Sequence, residues 1–317
     1  MSFITSGVAV FSRTYVPPSR LLVAVAAIYD ATYTVMTSPD GVAWTGRTAA
    51  DPTTIWKSVT WSGTKFVAVG TDGTYNVMTS PDGIIWTGRT AAEPYTTWNS
   101  VTWSGTQFVA VGAFGDTYNV MTSPDGVTWT GRTSADPTTT WNSVVWSGTK
   151  FVAVGAGGTY NAMTSPDGIT WTGQSPSDPD SQWYSVTWSG TQFVAVGERG
   201  LYGTYSVMTS PDGVAWTDQT AADETTVWRS VTWSGTQFVA VGTGGTYTVM
   251  TSPDGIEWTG RTAADAFTAW NSVVWSGTKF VAVGQDGSTY NVMTSPDGQA
   301  WTGQTATDMF TVWYSVV

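Results

Sequence analysis

The chain has 317 residues, of which 41% are hydrophobic and 11% are charged, so it can bury a large core. Its net charge of -11 and the absence of any basic run argue against a nucleic-acid partner, because nothing would neutralise phosphates. Cysteine and histidine are both absent, which excludes disulfides, thiolate zinc sites and Ser-His-Asp catalysis.

The first apolar stretch, RLLVAVAAIYDA from Arg20, has the composition of a secretory signal. Its register with KFVAVGTDG from Lys65 indicates instead one copy of a repeated strand. No apolar run approaches the roughly 20 residues that a membrane-spanning helix needs, so we expect no membrane insertion. The cysteine count leaves the location of the protein open, and we favour an extracellular or virion-associated place over the cytoplasm.

Three tryptophan-containing motifs recur along the chain, 42 to 45 residues apart for the best-defined one. That motif, Ser-Pro-Asp-Gly followed by tryptophan three residues after the glycine, begins at Ser38, Ser80, Ser123, Ser165, Ser210, Ser252 and Ser295. A W-x-S-V motif begins at Trp56, Trp98, Trp141, Trp183, Trp228, Trp270 and Trp313, and a W-S-G motif occurs six times. Together the three series account for all 20 tryptophans, so none stands apart as an individual functional residue.

Each repeat contains four short segments typical of strands, which from Ser58 are SVTWSG, KFVAVG, TYNVMTS and IIWTGRT. The FVAV segment is apolar on both of its alternating faces, as expected for a sheet packed between two others. Units of this size match the blades of a propeller. The sequence therefore predicts an all-β protein with one domain, residues 1–317, folded as a seven-bladed β-propeller of four-stranded antiparallel blades.

The two ends of the chain predict how the ring closes. The last five residues, WYSVV from Trp313, supply a first strand, and the N-terminal copy contains only strands two to four. We expect the C-terminal strand to complete the N-terminal blade. The segment SFITSG from Ser2 is a rival first strand, and whether residues 1–16 form an extra strand is left open.

The SPDGxxWT motif resembles the Asp-box, the bacterial neuraminidase repeat of sialidase-like propellers, whose form is S-x-D-x-G-x-x-W. Every copy here has one residue fewer between the aspartate and the glycine. The resemblance implies a structural turn between the third and fourth strands. The turn chemistry agrees, because Pro39 presets φ, the Ser38 hydroxyl can accept backbone N–H groups and Gly41 tolerates positive φ. One carboxylate per turn is too few for calcium, so no metal is expected.

An enzymatic site of the sialidase kind would need three converging arginines, a Tyr/Glu pair and an aspartic acid, as the resemblance implies. The arginines here occupy one repeated position in different blades, which Gln174, Gln219 and Gln304 take in the others. Three acids depart from the repeat and are interpreted as solvated: Glu198, Glu224 and Glu257. We therefore expect no catalytic residues, no cofactor and no enzyme.

The repeats differ most in two connections. Length changes fall between the second and third strands, and the connection from the fourth strand to the next blade varies in sequence. Both connections lie on one side of an up-and-down propeller, which we call the variable-loop face. The WSG and SPDG turns lie on the other side, the turn face. Loops on a rigid scaffold often carry binding sites, so the variable-loop face is the candidate binding surface.

Repeated polar and aromatic side chains on this face suit sugar hydroxyls and ring faces. The candidate ligand-binding residues are Arg47, Asp51, Tyr75, Arg89, Glu93, Tyr118, Arg132, Asp136, Tyr160, Asp178, Tyr205, Asp223, Tyr247, Arg261, Asp265, Tyr290 and Asp308. The other interpretation is that the acids cap loops and the tyrosines pack between blades.

We predict a monomeric, multivalent, lectin-like module that binds glycans weakly at several blades. The alternative is a structural or host-attachment component of a virion or surface assembly, with a structural protein as its partner.

Overall fold

A computed structural model describes residues 21–27, 32–113, 117–176, 178–285, 287, 289–308 and 311–317. The rival first strand at residues 2–7 and the open question about residues 1–16 lie outside the described residues. The described part of the chain contains no helix long and apolar enough to cross a membrane.

The described residues form 28 strands. In chain order these are β1 (Leu22–Ala27), β2 (Val35–Ser38), β3 (Thr45–Arg47), β4 (Ile55–Trp61), β5 (Phe66–Thr71), β6 (Val77–Ser80), β7 (Thr87–Arg89), β8 (Trp98–Trp103), β9 (Phe108–Gly112), β10 (Val120–Ser123), β11 (Thr130–Arg132), β12 (Thr140–Trp146), β13 (Phe151–Ala156) and β14 (Ala162–Ser165). They continue with β15 (Thr172–Gln174), β16 (Gln182–Trp188), β17 (Phe193–Glu198), β18 (Val207–Ser210), β19 (Thr217–Gln219), β20 (Thr226–Trp233), β21 (Phe238–Gly244), β22 (Val249–Ser252), β23 (Thr259–Arg261), β24 (Ala269–Trp275), β25 (Phe280–Gln285), β26 (Val292–Ser295), β27 (Thr302–Gln304) and β28 (Val312–Val316).

These strands make seven four-stranded antiparallel sheets arranged as a ring, which confirms the predicted seven-bladed propeller. Blade 1 has the order β28-β1-β2-β3, and blades 2 to 7 are the successive groups of four from β4-β5-β6-β7 to β24-β25-β26-β27. The first strand of each order lies innermost, against the first strands of both neighbouring blades.

The hydrophobic core lies between the blades. Val67 and Val69 of blade 2, for example, pack in one cluster with Trp98, Phe108 and Met121 of blade 3. Six equivalent clusters join the other neighbouring blades. The strand FVAV is buried on both faces because each of its faces meets a different blade, as its apolar alternation predicts.

Blade 1 is built from both ends of the described chain, which confirms the predicted closure. Strand β28 pairs antiparallel with β1, with Trp313 opposite Ala26 and Val316 opposite Ala24. Trp313 is fully buried, like the equivalent tryptophans of the other blades. The backbones of Val23 and Val317 exchange two further hydrogen bonds of 3.0 Å.

A ring of hydrogen bonds joins the inner strands around the central channel. The serine of each W-x-S-V motif accepts a hydrogen bond at its hydroxyl oxygen from the backbone N–H of a valine in the next blade, at 3.1 to 3.4 Å. The seven serines are Ser58, Ser100, Ser143, Ser185, Ser230, Ser272 and Ser315. Every junction between blades, including the closing one, therefore has this bond.

The SPDG segment forms the structural turn that its residues predict. The Ser80 hydroxyl oxygen accepts the Gly83 N–H at 2.8 Å, and Asp82 accepts two backbone N–H groups. The indole of Trp86 donates to the carbonyl of Gly83 at 3.0 Å, and the other six turns repeat this bond. Backbone hydrogen bonds lower the pKa of the Asp82 carboxyl, so the turn aspartate is ionised at neutral pH.

We expect Trp313→Ala to lower the free energy of unfolding by about 3–5 kcal/mol, because it removes a fully buried indole from the closing strand. Tyr314→Asn is the control, since asparagine is natural at this position in three other blades. Urea unfolding measures both variants. Equal stability of Trp313→Ala and the unmodified protein would contradict the closure described above.

Alanine substitutions at two glycines distinguish the free-energy cost of backbone strain from the cost of a close contact between blades. Gly83 has a φ of 79°, and a Cβ there would lie 2.8 Å from the Val23 side chain of blade 1. Gly63 has a φ of 96° with open space around it. We expect Gly63→Ala to cost about 1–2 kcal/mol from strain and Gly83→Ala to cost more, since the turn must also move away from its neighbour. Equal losses on urea unfolding would show that the contact with Val23 does not matter.

Candidate functional site

The repeated acid of the variable-loop face ties two connections together. One oxygen of Asp136 accepts the Thr138 N–H at 2.8 Å, and the other accepts the N–H groups of Thr159 and Tyr160 at 2.7 and 3.4 Å. Burial alone would raise the pKa of Asp136, but the hydrogen bonds from Thr138, Thr159 and Tyr160 outweigh it and lower the pKa to about 2. This carboxylate therefore clamps the connection entering blade 4 to the loop between β13 and β14.

The same arrangement recurs in other blades, with hydrogen bonds from both connections reaching Asp51, Asp178, Asp223 and Asp265. Asp308 accepts the Thr32 N–H at 3.4 Å, and the buried Glu93 accepts the Trp98 indole N–H through its backbone carbonyl. These contacts confirm that the two varying connections share one face. They also give the acids a local capping role, and a role in ligand binding stays a prediction.

The repeated arginines end the outer strands of the blades, and the repeated tyrosines precede the third strands. Arg47 donates from Nε to the Thr37 hydroxyl oxygen at 3.0 Å, and Arg89, Arg132 and Arg261 make the equivalent bond in their blades. The ring of Tyr75 lies against Gly88 of β7, where a Cβ would have no room. The rings of Tyr118, Tyr160, Tyr247 and Tyr290 pack on the equivalent glycines. Tyr205 takes the same position in blade 5, whose outer strand has Asp218 instead of glycine.

A second set of residues, not singled out in the sequence analysis, lines the mouth of the central channel. They occupy the variable position of W-x-S-V on the inner strands: Lys57, Asn99, Asn142, Tyr184, Arg229, Asn271 and Tyr314. We call them the channel-mouth ring. The signal was available, because this position alone changes between basic, amide and aromatic residues within an otherwise constant motif.

A cavity of about 550 Å³ opens between blades 4 and 5 on the variable-loop face. Asn142 and Gly158 contribute to its wall from blade 4, and Asp180, Gln182 and Tyr184 contribute from blade 5. The cavity therefore joins the channel-mouth ring to the loops of the variable-loop face. Its lining offers amide, carboxylate and hydroxyl groups beside one aromatic ring.

Tyr184 is held in place by a carboxylate. Its hydroxyl donates to Glu198 Oε1 at 2.8 Å. Burial and the neighbouring Glu198 both raise the pKa of Tyr184, so the hydroxyl keeps its proton at neutral pH. Glu198, interpreted from the sequence as a solvated acid, is partly buried at the end of β17 and accepts this hydrogen bond from an aromatic neighbour. Glu224 is likewise engaged, by the Ser206 hydroxyl at 2.6 Å and the Ala221 N–H at 2.7 Å.

Within the described residues, no three acidic side chains come together in the way a metal centre requires.

Comparisons with known proteins place the chain among propellers without giving it a family. No family model matches the sequence, and no curated protein matches it either. The resemblance to the Asp-box repeat is therefore not confirmed.

Solved structures of the same fold match over most of the chain. The periplasmic gluconolactonase PpgL of Pseudomonas aeruginosa is 11% identical with a TM-score of 0.65, over 94% of this chain and 98% of its own. The computationally designed protein Ika8 is 14% identical with a TM-score of 0.57, over 92% of this chain and 96% of its own. YCF48 bound to a D1 peptide is 16% identical with a TM-score of 0.55, over 89% of this chain and 87% of its own. At these identities the likeness shows the fold alone.

The expectation that the chain is not an enzyme must be corrected. The fold is shared with a propeller named as a gluconolactonase, so a propeller of this shape is compatible with catalysis. The catalytic residues that the resemblance implies were sought only at repeated positions. Tyr184 lies in the channel-mouth ring, and its hydroxyl donates to Glu198, an acid that departs from the repeat.

We expect Asp136→Asn to lower the free energy of unfolding by about 1–3 kcal/mol at pH 7, because an amide nitrogen then faces backbone N–H donors. The folded pKa lies below the ordinary value of 3.8, so the stabilisation is complete above about pH 4. It is lost as the pH falls toward 2. The stability difference between the two proteins should therefore shrink over that range.

Urea unfolding at pH 7 and at pH 3 tests this clamp. Glu257→Gln is the matched control, since Glu257 is exposed on the turn face and should change stability little at either pH. A variant Asp136→Asn as stable as the unmodified protein at pH 7 would contradict the clamp.

Proposed function

We propose that the protein is a carbohydrate-binding module that uses clefts between blades on the variable-loop face. The observation that carries this proposal is the polar cavity between blades 4 and 5, with the Tyr184 ring beside Asn142, Asp180 and Gln182. An aromatic ring can stack on a sugar, and amide and carboxylate groups can bind its hydroxyls. The hydrogen bond to Glu198 fixes the Tyr184 ring before a ligand arrives, which reduces the ordering cost of binding.

The repeat arrangement supports several weak sites and one stronger site. Equivalent blade junctions surround the ring because the blades have the same strand order, and each could hold a weak site. Their walls differ at the channel-mouth ring, where three blades have asparagine and two have tyrosine. Several such clefts on one face can gain avidity on a dense glycan surface.

A protein-attachment role is the second candidate, and exposed aromatic side chains favour it. Tyr95, Tyr202 and Phe267 are 78%, 82% and 79% exposed. They lie in the varying connections of three different blades. Exposed aromatic rings are common anchors in protein interfaces. The structure of YCF48 bound to a peptide adds a propeller of related shape with a protein ligand.

A glycan array tests the carbohydrate proposal with two matched variants. The double variant Gln182→Thr/Tyr184→Asn installs in blade 5 the residues that blade 4 carries at Thr140 and Asn142, so it should fold. We expect it to lose glycan binding, because the cavity loses its aromatic wall. The variant Tyr95→Thr installs the residue found at Thr53 and should bind glycans normally.

Absence of glycan binding by the unmodified protein at high concentration would overturn the carbohydrate proposal. Unchanged binding by the double variant would overturn the assignment to this cavity. Capture of a surface protein by the unmodified protein that is lost in Tyr95→Thr would support the attachment role instead.

A further inference from the structure

The connection that enters blade 5 departs from the repeat where it forms the wall of the cavity. In blades 2, 4 and 6 a threonine hydroxyl, two residues after the repeated acid, donates to the carboxylate of that acid at 2.6 Å. Blade 5 has Asp180 at this position, and only its backbone N–H donates to Asp178, at 3.2 Å. An ionised aspartate has no proton to donate, so a second carboxylate replaces the hydroxyl bond.

A second bond of the scaffold is also missing from blade 5. In the other six blades the indole of the W-x-S-V tryptophan donates to the backbone carbonyl of the repeated acid, at 3.1 to 3.4 Å. The indole N–H of Trp183 is fully buried and has no hydrogen-bond partner among the described residues. A buried donor without a partner costs free energy. The connection that lines the cavity therefore lacks two contacts that stabilise its equivalents in other blades.

The loop between β17 and β18 fixes this connection from outside the cavity. It is the longest of the seven loops between second and third strands. A Cβ on Gly200 would collide with the Asp180 carbonyl, and a Cβ on Gly203 would lie 2.7 Å from the Ser181 hydroxyl oxygen. The backbone of the loop thus packs directly against the residues that form the wall, which holds Asp180 in place beside the cavity.

The carboxylate of Asp180 is available to a ligand. The residue is exposed and lines the cavity, and among the described residues no group donates a hydrogen bond to its carboxylate. It is the one charged residue in the lining. Arg199 and Arg229 are the cations of the adjoining loop and of the next blade, and both are exposed outside that lining. The cavity therefore presents a carboxylate that none of its own lining residues neutralises.

Three further carboxylates lie directly behind the lining. Asp178 accepts the Asp180 N–H, and Glu198 accepts the Tyr184 hydroxyl at 2.8 Å. A Cβ on Gly158, which lines the opposite wall, would lie 2.9 Å from Asp136 Oδ2. In a partly enclosed cleft, negative charges of this kind attract a cation and repel an anion.

We infer, on the basis of the proposed carbohydrate binding, that the cavity between blades 4 and 5 takes amino sugars, with the ammonium group of the sugar paired to Asp180. The pair is a charge-assisted hydrogen bond, which is stronger than a bond between neutral groups. The Tyr184 ring offers a face for the sugar ring, and the amides of Asn142 and Gln182 bind its hydroxyls. Sugars that carry a carboxylate are repelled by the same wall.

Isothermal titration calorimetry with three trisaccharides tests the inferred sugar class. The β-1,4-linked trimers of glucosamine, N-acetylglucosamine and glucose share length and linkage, and only the first is cationic at pH 6. We expect the glucosamine trimer to bind about tenfold more tightly than either neutral trimer at low ionic strength. Added salt should reduce this difference.

Two variants that each remove one carboxylate separate the cavity from the general negative charge of the protein. Asp180→Thr installs the residue of blade 4 at Thr138, so it should fold, and its new hydroxyl can donate to Asp178. We expect it to bind the glucosamine trimer about tenfold more weakly and the N-acetylglucosamine trimer unchanged. Its melting temperature should be equal to that of the unmodified protein or higher.

Glu257→Thr is the matched control, because threonine occupies this position of the turn face at Thr128 and Thr170. It removes the same charge far from the cavity and should bind all three trimers like the unmodified protein. An equal loss of glucosamine-trimer binding in Glu257→Thr and Asp180→Thr would overturn the inference, since the attraction would then be non-specific.

Equal affinity of the unmodified protein for the glucosamine and N-acetylglucosamine trimers would also overturn the inference, and it would leave the carbohydrate proposal standing. Spermidine, a cation without a sugar ring, provides the opposite test. If spermidine binds as tightly as the glucosamine trimer and Asp180→Thr weakens both equally, the cavity recognises amines in general, which would contradict both the amino-sugar class and the carbohydrate proposal.

Discussion

The contact between adjacent blades is the interaction on which the whole molecule depends. No blade has a core of its own, because both faces of each FVAV strand must be covered by neighbouring blades. The fully buried tryptophan of each junction, and the buried phenylalanine of six of the seven, contribute about 1.5–3 kcal/mol each, by removing apolar surface from water. The serine-to-valine hydrogen bonds of the inner strands satisfy backbone groups where the blades come closest. Stability is therefore a property of the ring, with little held by any single blade.

This dependence divides the molecule into a constrained side and a permissive side. On the turn face the glycine of each SPDG turn lies against a valine of the previous blade, and side chains such as Lys65 reach a turn of the next blade. A change there affects two blades at once. On the variable-loop face the Asp136-type clamps fix where each pair of connections meets and leave the tips free. Differences between blades can therefore accumulate on that face and at the channel mouth without loss of the ring.

The fold was predictable from the sequence because it repeats. Because the strand pattern occurs seven times, a strand that is unclear in one copy is clear in the others. The partial copies at the two ends predicted how the ring closes. The candidate binding residues were less predictable. Asp51 and its equivalents also hold the connections of the scaffold, so repetition along the chain does not distinguish a binding group from a structural one. The channel-mouth ring is visible in the sequence only as the one variable position of W-x-S-V, and its placement depends on which strand lies innermost, which spacing along the chain does not reveal.

The composite blade 1 has a consequence for assembly. Junctions between blades 2 to 7 use the same tryptophan, phenylalanine and valine positions, so during folding a blade can dock on a blade that is not its sequence neighbour through a nearly native surface. Blade 1 differs, with Leu22 where the other blades have phenylalanine and Ala26 where they have glycine. Only its three strands β1, β2 and β3 need the distant β28 as a partner. Every strand of the ring is therefore paired only when all the repeats have been placed in order. The pairing of β28 with β1 thus requires the correct number of blades.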